Sequence, residues 1–113
     1  MTSQGTASGR FTRAIMRGHL FAAEMAAREM DHMSLSNAFS LCLLYRREND
    51  PEFGRAAVRW VRRTQLEHSL RRQEVDLLRV AMAALGSRFD AAALDALLEM
   101  CRELRVVSPT LPR

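Results

Sequence analysis

The residues best equipped for chemistry are arginines. Arg55, Arg59, Arg62, Arg63, Arg71 and Arg72 place six guanidinium groups within 18 residues, and Glu67 is the one acid between Arg55 and Arg72. A guanidinium presents a planar fork of donors that fits a phosphate or a carboxylate with two parallel hydrogen bonds. A stripe of them suits an acidic protein or a nucleic-acid backbone. The same pattern also describes a solvated helix face, because the chain has 17 Lys plus Arg and every one of them is Arg.

Other constellations are weaker. Glu29-Met-Asp-His32 has the spacing by which di-iron bundles aim two ligands inward, but such sites need a second copy and two more carboxylates. Glu67 and His68 are adjacent, so no second copy exists. His19 and Glu29 both project toward the core side of a first helix, where a buried Glu needs a partner. His19 or an Arg from a neighbouring helix would supply it. We read an internal polar pair there, not a catalytic dyad, since no Ser or Cys nucleophile sits beside it. Ser34, Ser36 and Ser69 fit helix caps better than nucleophiles. There is no Gly-rich phosphate loop, Gly-x-Ser-x-Gly or Cys-x-x-Cys string. No catalytic residue, metal or cofactor is assigned, and a small metal or redox enzyme is the least supported reading.

The elements that carry these residues are helical. At 113 residues, 48% hydrophobic and 27% charged, the chain has the balance of one globular domain. Residues 1–9 read as a disordered lead-in, 10–106 as a single all-α domain, and 107–113 as a loose tail. A first helix is expected from Arg10 to Asp31, with Arg10, Arg13, Arg17, Glu24, Arg28 and Asp31 on one polar stripe. Leu20, Phe21 and Met25 fall beside or within that stripe. Ser34 caps a second helix, Leu35 to Glu48, apolar nearly all round and so central. Asp50 and Pro51 open a third, to His68, with Phe53, Ala57, Trp60, Val61 and Thr64 facing the core and the arginines opposite. Ser69 caps a fourth, Leu70 to Leu85 and ended by Gly86, the alternative being one long helix that continues through Ser69, and Asp90 caps a fifth, to Val106. No segment alternates as a strand does.

Phe11-Thr-Arg-Ala-Ile-Met-Arg17 and Phe53-Gly-Arg-Ala-Ala-Val-Arg59 share a pattern, and Ser34-Leu35 and Ser69-Leu70 follow them. This suggests a duplicated two-helix unit followed by a lone fifth helix. The chain thereby resembles tetratricopeptide and HEAT-type superhelices of stacked helical hairpins. Gly18 and Phe21 fit the tetratricopeptide Gly-x-x-Tyr spacing, but the later small and aromatic positions do not follow. The resemblance implies a short hairpin stack, and a compact bundle is equally compatible. With 16 Ala and no Lys, the chain also resembles Ala/Arg-rich helical proteins of actinobacteria, a likeness that carries no function.

The expected function is binding. Met16, Leu20, Phe21 and Met25 exceed what one core face needs and suit a protein partner, or a second copy in a homodimer. The arginine stripe would select an acidic partner. The alternative is sequence-independent nucleic-acid binding through the same stripe, for which the net charge of +4 and pI near 10.4 speak. A helix-turn-helix is disfavoured, because the Leu35 helix is too apolar to lie in a groove. The N-terminal residues lack the apolar region of a secretory signal. No apolar run approaches the ~20 residues of a membrane span. Cys42 and Cys101 lie in apolar runs as free thiols, and a reducing, cytoplasmic setting is expected.

Overall fold

A computed structural model describes residues 5–112. It contains helices alone among the described residues: α1 (Ala7–Arg17), α2 (Leu20–Glu29), α3 (Leu35–Arg47), α4 (Phe53–His68), α5 (Arg72–Ala84) and α6 (Asp90–Glu103). The fold is all-α as expected, with six helices where the apolar periodicity suggested five.

The additional helix arises at Gly18. Its φ of +69° is left-handed, and its N–H reaches back to the Ala14 and Ile15 carbonyls, closing α1 after three turns. His19 then caps α2, its Nδ1 accepting from the Ala22 N–H at 3.3 Å. The expected Arg10–Asp31 helix is therefore a hairpin of two short helices. The start differs as well. Thr6 Oγ1 accepts from the Gly9 N–H at 2.9 Å, so helix begins at Ala7 inside the stretch expected to be disordered. The remainder of that lead-in, residues 1–4, lies outside the described residues.

Ser34 caps α3 as expected, accepting from the Asn37 N–H at 3.0 Å. Asp50 accepts from the Glu52 N–H at 2.9 Å and opens the turn into α4. Ser69 does the opposite of what its sequence suggested. It ends α4 in the left-handed region (φ +51°), and α5 starts only at Arg72, where Glu74 accepts from the Arg71 N–H at 2.9 Å. Gly86 (φ +80°) follows the end of α5, and its N–H donates to Asp90 Oδ1 at 2.6 Å.

The helices pair in chain order, α1 with α2, α3 with α4, and α5 with α6. Each hairpin then packs on the next, through α1 and α2 against α3 and through α4 against α5. The result is a stack 46 × 30 × 21 Å in extent. This pairing displaces the expected duplication. The Phe11 string closes the first arm of one hairpin and the Phe53 string opens the second arm of another, while Ser34 begins a helix and Ser69 ends one. The two strings do not mark equivalent units.

α3 is the central element, buried on most of its circumference. Leu44 joins Phe11, Ile15, Ala23 and Ala26 in one apolar cluster. Phe39, Cys42 and Leu43 join Trp60, Val61, Leu78, Met82 and Leu97 in the other. Leu20 and Leu41 touch both clusters. Burying each large side chain of this kind contributes about 1.5–3 kcal/mol, which offsets the ordering of short helices.

Candidate protein-binding surface

The arginine stripe sits where the sequence put it, on α4 and at the start of α5, but carboxylates close most of it. Glu52 lies 3.4 Å from Arg55 Nε and 3.0 Å from Arg59 Nη2. Glu67 pairs with Arg63 at 2.9 Å, and Glu74 with Arg71 at 3.5 Å. Glu52 and Glu74 lie just outside the Arg55–Arg72 window, one helical reach away. Arg63 also turns off the stripe. Its Nη1 donates to the Met33 carbonyl at 2.8 Å, tying the loop before α3 to α4. Arg62 and Arg72 have no ionic partner among the described residues.

The apolar patch expected on the first helix is split by the break at Gly18. Met16 on α1 and Phe21 and Met25 on α2 are exposed. Leu20 is not part of that surface. As the first residue of α2 it turns inward between the two clusters.

A larger apolar surface lies around α5. Between α4 and α5 runs a cleft of about 520 Å³, walled by Phe53, Ala57, Val58, Val61 and Leu66 on one side and Met82 and Ala83 on the other. Gly54, Arg62, Gln65 and Arg79 complete its lining. The Arg46 guanidinium covers the Phe53 ring, 5.6 Å from its centroid, at one end. A second, smaller groove of about 290 Å³ separates α5 from α6 and is lined by apolar side chains, Leu77, Val80, Phe89 and Met100 among them. Val58 (69% exposed), Leu66 (71%), Leu77 (60%) and Val80 (68%) border these grooves. The helical period of α4 and α5 assigns residues to inner and outer faces. It does not show how far α5 leaves α4 uncovered, so this surface was not legible as a pattern.

The remaining candidates are structural. Glu29 ends α2 and accepts two hydrogen bonds from Arg10 of α1, at 2.9 and 3.1 Å, which holds its carboxyl below the usual range. Its partner is thus the Arg of a neighbouring helix, in an exposed position and not in the core. His19 is occupied as a cap, and His32 is exposed in the loop after α2. Ser36 is buried within α3, where its carbonyl accepts from Ser40 at 3.2 Å. Cys42 and Cys101 are buried free thiols, and desolvation pushes them up to about 12 and about 11. The Tyr45 hydroxyl donates to Glu24 at 2.7 Å; its pKa is raised by burial first and then by that carboxylate. Among the described residues no three His, Cys, Asp or Glu side chains gather as a metal would require, and no helix is long and apolar enough to cross a membrane.

Comparison with family models, with curated proteins and with solved structures gives no match.

Proposed function

We propose that this chain is a non-catalytic helical module that acts by binding another protein. The observation that carries this reading is the apolar surface around α5, two grooves edged by Val58, Leu66, Leu77 and Val80, each 60% or more exposed. Large apolar surface left open by a folded chain is the physical mark of an interaction site. Met16, Phe21 and Met25 add a second such area on the first hairpin. The stacking of hairpins in chain order supports the likeness to two-helix superhelical proteins, whose extended faces serve recognition. The unpaired thiols fit a reducing compartment, and we place the module in the cytoplasm.

The nucleic-acid reading draws less support. Binding a phosphate backbone requires arginines free to displace counterions, and Glu52, Glu67 and Glu74 already hold four of the six.

The test is photocrosslinking in producing cells, with p-benzoylphenylalanine placed at Phe21, Val58 or Leu77 in turn. Adducts whose masses resolve to another protein are expected from at least one position. A chain that remains free and monomeric from all three positions is not a binding module.

A further inference from the structure

We propose that the cleft between α4 and α5 receives an amphipathic helix of another protein, with its apolar side in the cleft and acidic residues along its flanks. This rests on the partner-binding reading above and names the partner's chemistry.

Shape is the first argument. The α4 wall runs from Phe53 to Leu66, about 20 Å at 1.5 Å per residue, the length of a docking helix of three to four turns. Val58, Arg62 and Leu66 stand at i, i+4 and i+8, so they form one ridge along the mouth, apolar, basic, apolar. A helix laid against such a ridge offers apolar residues at matching spacing with an acid between them.

Charge is the second argument, and it decides the occupant. From Glu52 to Arg79 the chain carries seven arginines against four acids, so this stretch holds three of the four net positive charges of the whole protein. Arg62 lines the cleft without an ionic partner among the described residues. Arg79 lines it too, and its one ionic partner among the described residues, Asp76, stands 4.0 Å away with both side chains more than half exposed. A second copy of this chain docked symmetrically would set these arginines against their own counterparts, which is repulsive. An acidic helix meets them with opposite charge.

The probe is a labelled helical peptide of about 16 residues, with Leu at helical spacing and Glu on both flanks, compared with a sister peptide carrying Lys in place of Glu. Fluorescence anisotropy on the intact chain is expected to show the Glu peptide binding at least tenfold tighter. Two kinds of variant should each weaken it tenfold or more. Gly54→Trp fills the cleft, since a Cβ at Gly54 meets nothing within 4 Å. Arg62→Glu with Arg79→Glu reverses the rim at exposed positions, and circular dichroism checks that both variants fold. No binding of the Glu peptide, equal binding of the two peptides, or binding indifferent to both variants overturns the proposal. Such a failure alongside protein crosslinks from Phe21 or Leu77 removes the cleft and keeps the module. Failure of both experiments removes the two together.

Discussion

The indole N–H of Trp60 donates to the backbone carbonyl of Leu35 at 2.9 Å, pinning the middle of α4 to the first turn of α3. The Trp60 ring also packs on Phe39, with centroids 5.0 Å apart. One residue thus fastens the two arms of the central hairpin by a hydrogen bond and by ring contact. Trp60→Phe keeps a ring against Phe39 but loses the donor and leaves a void. A loss of about 2–3 kcal/mol is expected. Urea unfolding followed by circular dichroism reads it, and a change below about 0.5 kcal/mol, within the range of ordinary surface substitutions, would mean the bond does not hold the hairpin.

Ser69 and Gly86 both follow helix ends in the left-handed region, at φ +51° and +80°. A non-glycine residue there costs roughly 1–2 kcal/mol. Ser69→Gly is therefore expected to stabilise the chain by about 1 kcal/mol. If Ser69 were the N-cap of α5, the same change would give a small loss. Gly86→Ala should destabilise by about 1–2 kcal/mol, because the new Cβ is strained and also runs into the Arg46 guanidinium. Thermal unfolding of the two variants should move in opposite directions.

The fold was legible wherever a residue's local chemistry and its burial agreed. Ser34 before an apolar run announced α3, and the breadth of that run announced its central place. Gly18 was harder, because Arg10, Arg13 and Arg17 keep one helical phase with Glu24, Arg28 and Asp31 as if the helix continued. The break did leave a trace, in that Leu20, Phe21 and Met25 fall out of phase. A new helix starting at Leu20 turns that residue inward, whereas Phe21 and Met25 do stay exposed as surplus apolar surface. Ser69 misled because serine tolerates both a cap and a left-handed stop, and only packing chooses. Of the candidate surface, the arginines were legible and their pairing was half so. Glu52 and Glu74 lie just outside the Arg55–Arg72 segment, on the neighbouring turns of its helices. The α4–α5 cleft depends on how two helices sit together, which no single helix's period records.

Stability should fall in acid through the Arg10–Glu29 pair. Its hydrogen bonds first, and its charge second, lower the Glu29 pKa below the ordinary value. A carboxyl so held stays charged in the fold after its unfolded counterpart has taken a proton. Its contribution is complete above the unfolded value of about 4.3 and is lost as pH falls through the lower folded value. Glu74, lowered chiefly by the Arg71 N–H, behaves in the same sense. Urea midpoints measured from pH 7 down to pH 3 should drop for the native chain and drop less for Glu29→Gln. Identical pH profiles would show that the pair contributes nothing to acid sensitivity.

Neither thiol should react readily in the folded protein. Cys42 and Cys101 are buried, with values pushed up to about 12 and about 11, so their thiolate fraction at neutral pH is more than roughly a hundredfold below that of a free cysteine. Iodoacetamide at pH 7.5 is expected to leave both unmodified over hours in native buffer and to label both at once in urea. Cys101 should be labelled first when stability is lowered gradually, since its thiol is raised less and α6 is packed on one side by α5. Fast native labelling of either would show that its helix opens far more often than its burial implies.

The arginine face offers the sharpest test between a protein partner and a polyanion, because its affinity for phosphate is limited by its own acids. Glu52 serves Arg55 and Arg59 together, so removing one carboxylate releases two guanidinium groups. Glu52→Gln keeps the helix start nearly isosteric and raises the local charge by one. On a heparin column the native chain is expected to elute at low salt and Glu52→Gln at distinctly higher salt, since each additional phosphate contact steepens the salt dependence. Changing Arg55, Arg59, Arg62 and Arg63 together to Gln should then have little effect on nucleic-acid retention by the native chain. The opposite result, strong and salt-sensitive retention by the native chain that disappears in the fourfold variant, would mean the acids do not restrain the stripe. The nucleic-acid reading would then displace the protein partner, since the arginines would be doing through phosphate what the cleft is proposed to do through an acidic helix.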